Sequence, residues 1–234
     1  ALAGRNYVAD YVQTLTHEVK SPLSAIRGAA ELLQEPMPDA DRVRFAGNIA
    51  RETQRIQEIV DRMMELTALE SRRTHVRPEP VPLRPLLADL AAGAHAAGAA
   101  PGVQVTLLPG EPAQVEGDAL LLRRAIGSLV DNALDFSSAA GTVQLALRSH
   151  AQRVDVSVRD HGPGVPEYAE EKVFEKFYSL ARPHGAKRST GLGLSFAREI
   201  AQLHDGRVAL SNAPDGGALA VLTLPLAGPR TPAA

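Results

Sequence analysis

Asp160-His161-Gly162-Pro163-Gly164 and Thr190-Gly191-Leu192-Gly193-Leu194 are two glycine clusters in one half of the chain, and Asn132 precedes both in a stretch with helical periodicity. A carboxylate at Asp160, where a strand is expected to end, is suited to accept a hydrogen bond from an exocyclic amine such as that of adenine. Gly162 and Gly164 let the backbone approach a ligand closely or adopt positive φ. Gly191 and Gly193 are expected to open a helix after Ser189 and Thr190, and its free N–H groups and dipole make an anion site suited to phosphates. Lys187 and Arg188 add positive charge immediately upstream. Asn132 lies on the flank of the apolar stripe Leu122, Ile126, Leu129, Ala133 and Phe136, where its amide oxygen can reach a hard cation such as Mg²⁺. In that order, these groups describe a site for a nucleoside triphosphate. Singly each has a plainer reading: a D-x-G-x-G run is often a tight turn, and a glycine-led helix is often only a helix start after a loop. Neither cluster is a P-loop, since G-x-x-x-x-G-K-[ST] occurs nowhere.

Around the clusters the hydrophobic period changes repeatedly. Leu83–Ala97, Asp118–Phe136 and Gly191–His204 read as helices, and Val103–Leu108, Thr142–Arg148, Val154–Arg159, Arg207–Ser211 and Ala218–Leu226 as strands. Helices mixed with largely antiparallel strands indicate a two-layer α/β sandwich. His161–Thr190 reads as a long loop with one apolar island at Val173–Leu180. His75–Pro85 carries Pro78, Pro80, Pro82 and Pro85 and reads as a semi-rigid linker.

Upstream of that linker the pattern is helical throughout. Val8, Val12, Leu15, Val19, Leu23, Ile26, Ala30 and Leu33 recur at steps of three and four, and Pro36-Met37-Pro38 breaks the run. Asp39 is placed to N-cap a second helix, whose stripe is Val43, Ala46, Ile49, Thr53, Ile56, Val60, Met63 and Thr67. One such antiparallel hairpin leaves most of its stripe wet, so pairing with a second copy into a four-helix bundle is expected. His17 lies two positions from both Leu15 and Val19, roughly 200° around the helix, and so points away from the stripe. Glu18 beside it can hold one ring nitrogen and take up a proton. Pro22 cannot donate to the carbonyl at Glu18, which bends the helix and opens its backbone to a docking partner. A surface histidine beside a surface glutamate is the plainer alternative. His75, His95, His150, His161, His184 and His204 show no ligand spacing and read as surface or loop residues.

Bulk properties exclude several classes. At 234 residues the chain can hold one or two domains with a real core, and its net charge of −2 points to no nucleic-acid partner. Cysteine is absent, which removes disulfides and thiolate metal sites. No window approaches the roughly 18 apolar residues of a membrane span.

In combination these motifs resemble the sensor histidine kinases of bacterial two-component systems, over essentially the whole chain. His17–Leu23 resembles their phosphoacceptor box, Asn132-Ala133 the N box, and Asp160–Gly164 the first glycine box. Phe174-Glu175-Lys176-Phe177 resembles the F box and Gly191–Leu194 the second glycine box, with Gly216-Gly217 a weaker match to a further one. Tyr11–His17 and Ser21–Ala30 are especially similar to the CreC type. The resemblance implies a dimerisation and phosphotransfer hairpin over 1–72, a linker over 73–83, a Bergerat-type (GHKL) ATP-binding domain over 84–228 and a tail over 229–234. It implies a homodimer that uses ATP and Mg²⁺, phosphorylates His17 with Glu18 as base, and passes the phosphoryl group to an aspartate on a response regulator receiver domain. Asn132 would ligate Mg²⁺ and Asp160 would read adenine. Gly162, Gly164, Lys187, Thr190, Gly191, Leu192, Gly193 and Leu194 would shape the pocket and lid. Members are usually anchored in the inner membrane through a sensor region, which this chain lacks, so it is expected to be the cytoplasmic portion.

Several positions depart from the family pattern. Ser128 stands where the N box usually has its first Asn, and Asp135 where Lys is frequent, which puts a negative charge near a polyphosphate. Ser21 replaces the Thr or Asn linked to phosphatase activity, and a serine hydroxyl can still orient a water. Two rivals stay open. A conformational-clamp ATPase of the same fold would hydrolyse ATP without labelling a histidine, and a degenerate kinase acting as a dimeric scaffold would bind no ATP.

Overall fold

The computed structural model describes residues 16, 19–71, 78–96, 102–138, 140–180 and 191–227. The chain divides into two compact units, Ala1–Ala68 and Leu69–Ala234.

The first unit holds helix α1 over residues 19–32 and most of helix α2, Asp39–Ser71. After α1, Leu33 N–H donates to the Ala29 carbonyl, then Gln34 and Glu35 donate three residues back, and Pro36 and Pro38 end the run. The expected cap is shifted by one residue. The Pro38 carbonyl accepts from both Asp41 and Arg42, so Asp39 is the first helical residue and not the cap. With Asp41 it still places negative charge in the first turn, where the dipole favours it. Pro22 is buried and lies within continuous helix. The stripe is only partly covered. Ala29 and Ile59 are buried, whereas Leu23, Leu32, Val43, Val60 and Met64 are exposed, Val43 at 72%. Among the residues of α2 whose burial is described, Ile59 is fully buried where the stripe has Val60, because Ile56, Ile59 and Met63 also satisfy the three–four spacing.

The second unit carries β1 (Glu79–Pro82), α3 (Leu83–Ala96), β2 (Gln104–Leu107), β3 (Gln114–Gly117), α4 (Ala119–Phe136), β4 (Thr142–Ser149), β5 (Arg153–Arg159), α5 (Gly193–Leu203), β6 (Arg207–Asn212) and β7 (Ala218–Pro225). The main sheet runs β2-β4-β5-β7-β6, with β2 parallel to β4 and every other pairing antiparallel. One face alternates Val143, Leu145 and Leu147 with Val154, Val156 and Val158, all buried. Leu87 of α3, Leu122, Ile126 and Leu129 of α4, and Phe196 and Ile200 of α5 complete that core. Truncating any one of these large side chains to alanine costs about 2–5 kcal/mol. This is the two-layer α/β sandwich that the periodicity predicts.

The sequence reading missed two strands. Glu79–Pro82, inside the stretch read as linker, pairs antiparallel with Gln114–Gly117, with Val81 opposite Val115 and both buried. Pro80 and Pro82 are tolerated because β1 has a partner on one side only. His204 corrects another expectation: it is buried, not superficial. Its Nδ1 lies 2.8 Å from the Ile200 carbonyl, and its Nε2 accepts from Asp118 N–H at 3.0 Å. Those partners specify the neutral ring with the proton on Nδ1. The ring occupies the space that a Cβ at Gly117 would take.

Candidate nucleotide site

Strand β5 ends at Arg159, and the next residue, Asp160, is only 3% exposed. Its backbone continues the sheet through an N–H bond to the Ala218 carbonyl at 3.0 Å. Its carboxylate Oδ1 accepts from Gly162 N–H at 2.8 Å and from Ala218 N–H at 3.0 Å. Oδ1 is therefore fully used, and Oδ2 makes no hydrogen bond to a described residue. An ionised carboxylate accepts only, so the open oxygen selects a ligand group that donates.

The glycines are required by their neighbours. A Cβ at Gly162 would overlap the Phe136 carbonyl at the end of α4, and Gly164 at φ +78° faces the side-chain oxygen of Asn212. The turn between β6 and β7 closes on the same loop. Gly217, at φ +81°, lies against the Asp160 carbonyl, and Arg159 forms an ion pair with Asp215 at the turn's tip. That guanidinium holds the Asp215 carboxyl below its ordinary value of 3.8, chiefly through the hydrogen bond it donates. His161, exposed, has Nδ1 2.9 Å from the Thr142 carbonyl, which ties the loop to the start of β4.

Helix α5 starts at Gly193, two residues later than expected. Leu192 is its N-cap residue and supplies no side-chain cap, so among the described residues no side chain caps the first-turn N–H groups, an arrangement suited to an anion. The contrast with α4 is sharp: there Asp118 accepts from Leu120 and Leu121 N–H at 2.9 and 3.0 Å. The two helices lie side by side, and a Cβ on Gly193 would stand 3.9 Å from Ser128 Cβ. Gly191, at φ +65°, sits on the backbone of Phe177, whose N–H donates to the Gly191 carbonyl at 2.8 Å. The end of the Phe174–Phe177 segment is thus joined to the second glycine cluster, with Phe174 and Phe177 buried.

Asn132 is half-buried on α4, one helical turn beyond Ser128, and makes no hydrogen bond to a described residue. A free amide oxygen suits a hard cation that takes its other ligands from phosphate and water. Among the described residues no cluster of three His, Cys, Asp or Glu side chains could hold a metal alone. Leu192 and Leu194 are buried, so their side chains anchor the helix start and only their backbone faces a ligand. Ser21 is exposed on α1. His17, Glu18, Lys187 and Thr190 lie outside the described residues. Asn212 was missed, because a lone Asn at a strand end carries no sequence signal beyond turn propensity.

A buried, half-satisfied carboxylate, a glycine-led helix start and a half-buried amide thus stand on one α/β sandwich. Residues 117–228 match the family described as histidine kinase-, DNA gyrase B-, and HSP90-like ATPase, and residues 8–72 match the His Kinase A (phospho-acceptor) domain. The chain belongs to the sensor histidine kinases. It is 40% identical to sensor protein CreC of Escherichia coli (strain K12), over 95% of this chain and 46% of that protein. It is 33% identical to the solved ATP binding domain of PrrB from Mycobacterium tuberculosis, with TM-score 0.54 over 64% of this chain and 98% of that one. The histidine kinase ThkA, solved in complex with response regulator protein TrrA, shares the fold at TM-score 0.77 and 21% identity, over 95% of this chain and 64% of that one. The chain spans about half the length of the curated relatives it matches.

Proposed function

We propose that this chain binds ATP with Mg²⁺, phosphorylates itself on His17 and passes the phosphoryl group to an aspartate of a response regulator receiver domain. Asp160 carries the reading: with Oδ1 consumed by two backbone N–H groups, Oδ2 has no donor among the described residues, and the adenine amine is the donor we assign to it. The open N-terminus of α5 takes phosphate oxygens, and Asn132 offers its amide to the cation. Mg²⁺, when bound, neutralises charge on the phosphates.

In the transfer, an imidazole nitrogen of His17 attacks the γ-phosphorus and the bond to the bridging oxygen breaks. ADP leaves with that electron pair, and Glu18 accepts the proton from the other ring nitrogen. The regulator's carboxylate then displaces the histidine from phosphorus. The exposed Ser21 hydroxyl extends the proposal to hydrolysis of the regulator's phosphate, by orienting a water. The exposed apolar residues of α1 and α2 support a homodimer built through that hairpin. No described helix is long and apolar enough to cross a membrane. We place the chain as the cytoplasmic portion of an inner-membrane sensor.

The test is incubation with γ-labelled ATP and Mg²⁺, beside His17→Gln. Acid-labile, alkali-stable label that disappears in the variant is the expected result. Phosphate release without label would return the clamp ATPase, and absence of nucleotide binding would leave the scaffold.

A further inference from the structure

The Asp160–Val165 loop is pinned at both ends to a single rung of the sheet. Asn212 and Ala218 are direct partners where β6 meets β7, the last pair of that ladder. Ala218 holds the first end, donating to Asp160 Oδ1 and accepting from Asp160 N–H. Asn212 holds the second: its Oδ1 accepts from Val165 N–H at 2.7 Å, and its Nδ2 donates to the Val165 carbonyl at 2.8 Å. One carboxamide thus satisfies both backbone groups of a buried residue, as a neighbouring strand would. The five-residue turn closing the rung is tight, with Ala213 N–H on the Gly217 carbonyl and Gly216 N–H on the Ala213 carbonyl, both at 3.0 Å. Gly164 completes the fit from the other side, since a side chain there would run into Asn212 Oδ1.

We propose that Asn212 is a positioning residue for nucleotide binding, clamping the loop after Gly164 so that Asp160 Oδ2 stays aimed at the base. It touches no reacting atom and acts through Val165. This role rests on the nucleotide reading of Asp160. Releasing Asn212 frees the Val165 end of the loop, and with it the Gly162 N–H that helps to hold Asp160 Oδ1, while the Ala218 bonds still keep Asp160 in the sheet. The clamp therefore affects how well the base is held and leaves the transfer step at saturating ATP unchanged.

The experiment uses the full 234-residue chain. ADP·Mg²⁺ affinity is measured by calorimetry, and autophosphorylation is followed against ATP concentration. Asn212→Asp keeps the acceptor for Val165 N–H but sets a carboxylate oxygen against the Val165 carbonyl. Expected are an affinity loss on the order of tenfold, KM raised in parallel and an unchanged plateau rate. Thr223→Val, which removes a 2.7 Å bond to Asp155 elsewhere in the sheet, controls for stability and leaves KM alone. A double-mutant cycle of Asn212→Ala with Gly164→Ala is the sharper arm. Positive-φ strain at 164 cancels, so the combined loss should fall short of the product of the single losses by roughly threefold or more. Unchanged affinity in a folded Asn212 variant, a lowered plateau at unchanged KM, or a strictly multiplicative cycle overturns the proposal. So does failure of all Asn212 variants to fold, which makes the residue merely structural. Wild-type chain that binds no ADP would sink the nucleotide reading itself, whereas wild type that binds beside an indifferent Asn212→Asp sinks only the clamp.

Discussion

Asp160→Asn is nearly isosteric and separates the two jobs of one carboxylate. The amide oxygen can keep the Oδ1 seat, 2.8 Å from Gly162 N and 3.0 Å from Ala218 N. The amide nitrogen then replaces Oδ2 and turns a donor toward the donor on adenine. The bond lost is charge-assisted, worth about 1.5–3 kcal/mol, so ADP affinity should fall roughly 10- to 150-fold. The fold should suffer less. Two bonds to a charged oxygen become two to a neutral one, a loss of about 2 kcal/mol that no longer burying a charge reduces to about 1 kcal/mol. For a domain of this size that lowers Tm by about 2–4 °C. Calorimetric titration and thermal denaturation read the two effects separately. An inosine nucleotide, whose ring carries a carbonyl where adenine has its amine, gives a second readout. Wild type should discriminate against it, and Asp160→Asn should narrow that preference, because its amide can donate to the carbonyl. ADP affinity within threefold of wild type, or Tm collapse with affinity intact, would refute the assignment and leave Asp160 a structural pin.

Three further outcomes are expected. The Asp215 carboxyl titrates below 3.8 in the folded chain because Arg159 stabilises its ionised form, so its contribution is present at neutral pH and lost as pH falls through the folded value. Denaturation curves of wild type and Asp215→Asn should therefore differ by a constant amount from pH 7 to 5 and converge below about 3.8; a gap that widens in acid contradicts this. Gly117→Ala should cost about 1–3 kcal/mol by overpacking the His204 ring, and His204→Ala in that background should relieve part of the clash. Equal denaturation midpoints for wild type and Gly117→Ala would show that the ring can step aside. Leu32→Glu with Val43→Glu puts charge on the two exposed apolar positions flanking the α1–α2 connection, and light scattering should report a monomer where wild type is a dimer. A dimer that survives both changes places its interface elsewhere.

Long periodic elements were legible because one face of each is buried over many residues. The stripe of α4 and the alternation of β4, β5 and β7 are visible in the chain, and the structure places them within one or two residues. Elements whose burial rests on a single residue were not. Strand β1 shows Val81 between Pro80 and Pro82, and β3 shows Val115 between polar neighbours, so neither has a period to read. At the site, Asp160 and the glycines could be read because their types are costly to place without a reason: a buried carboxylate, and positive φ at Gly164, Gly191 and Gly217. Asn212 and His204 act through contacts 47 and 86 residues away in the chain, and only the folded register brings those partners together.

The shared space of Gly117 and His204 has a consequence for descent. A residue with a Cβ at 117 and an imidazole at 204 compete for one space, and Asp118 N–H uses the acceptor that the ring provides. The two positions are therefore expected to vary together. A lineage that gains a side chain at 117 is favoured to shed the ring and find another acceptor for the start of α4. In an alignment of relatives, glycine at 117 should accompany histidine at 204 far more often than chance pairing would produce.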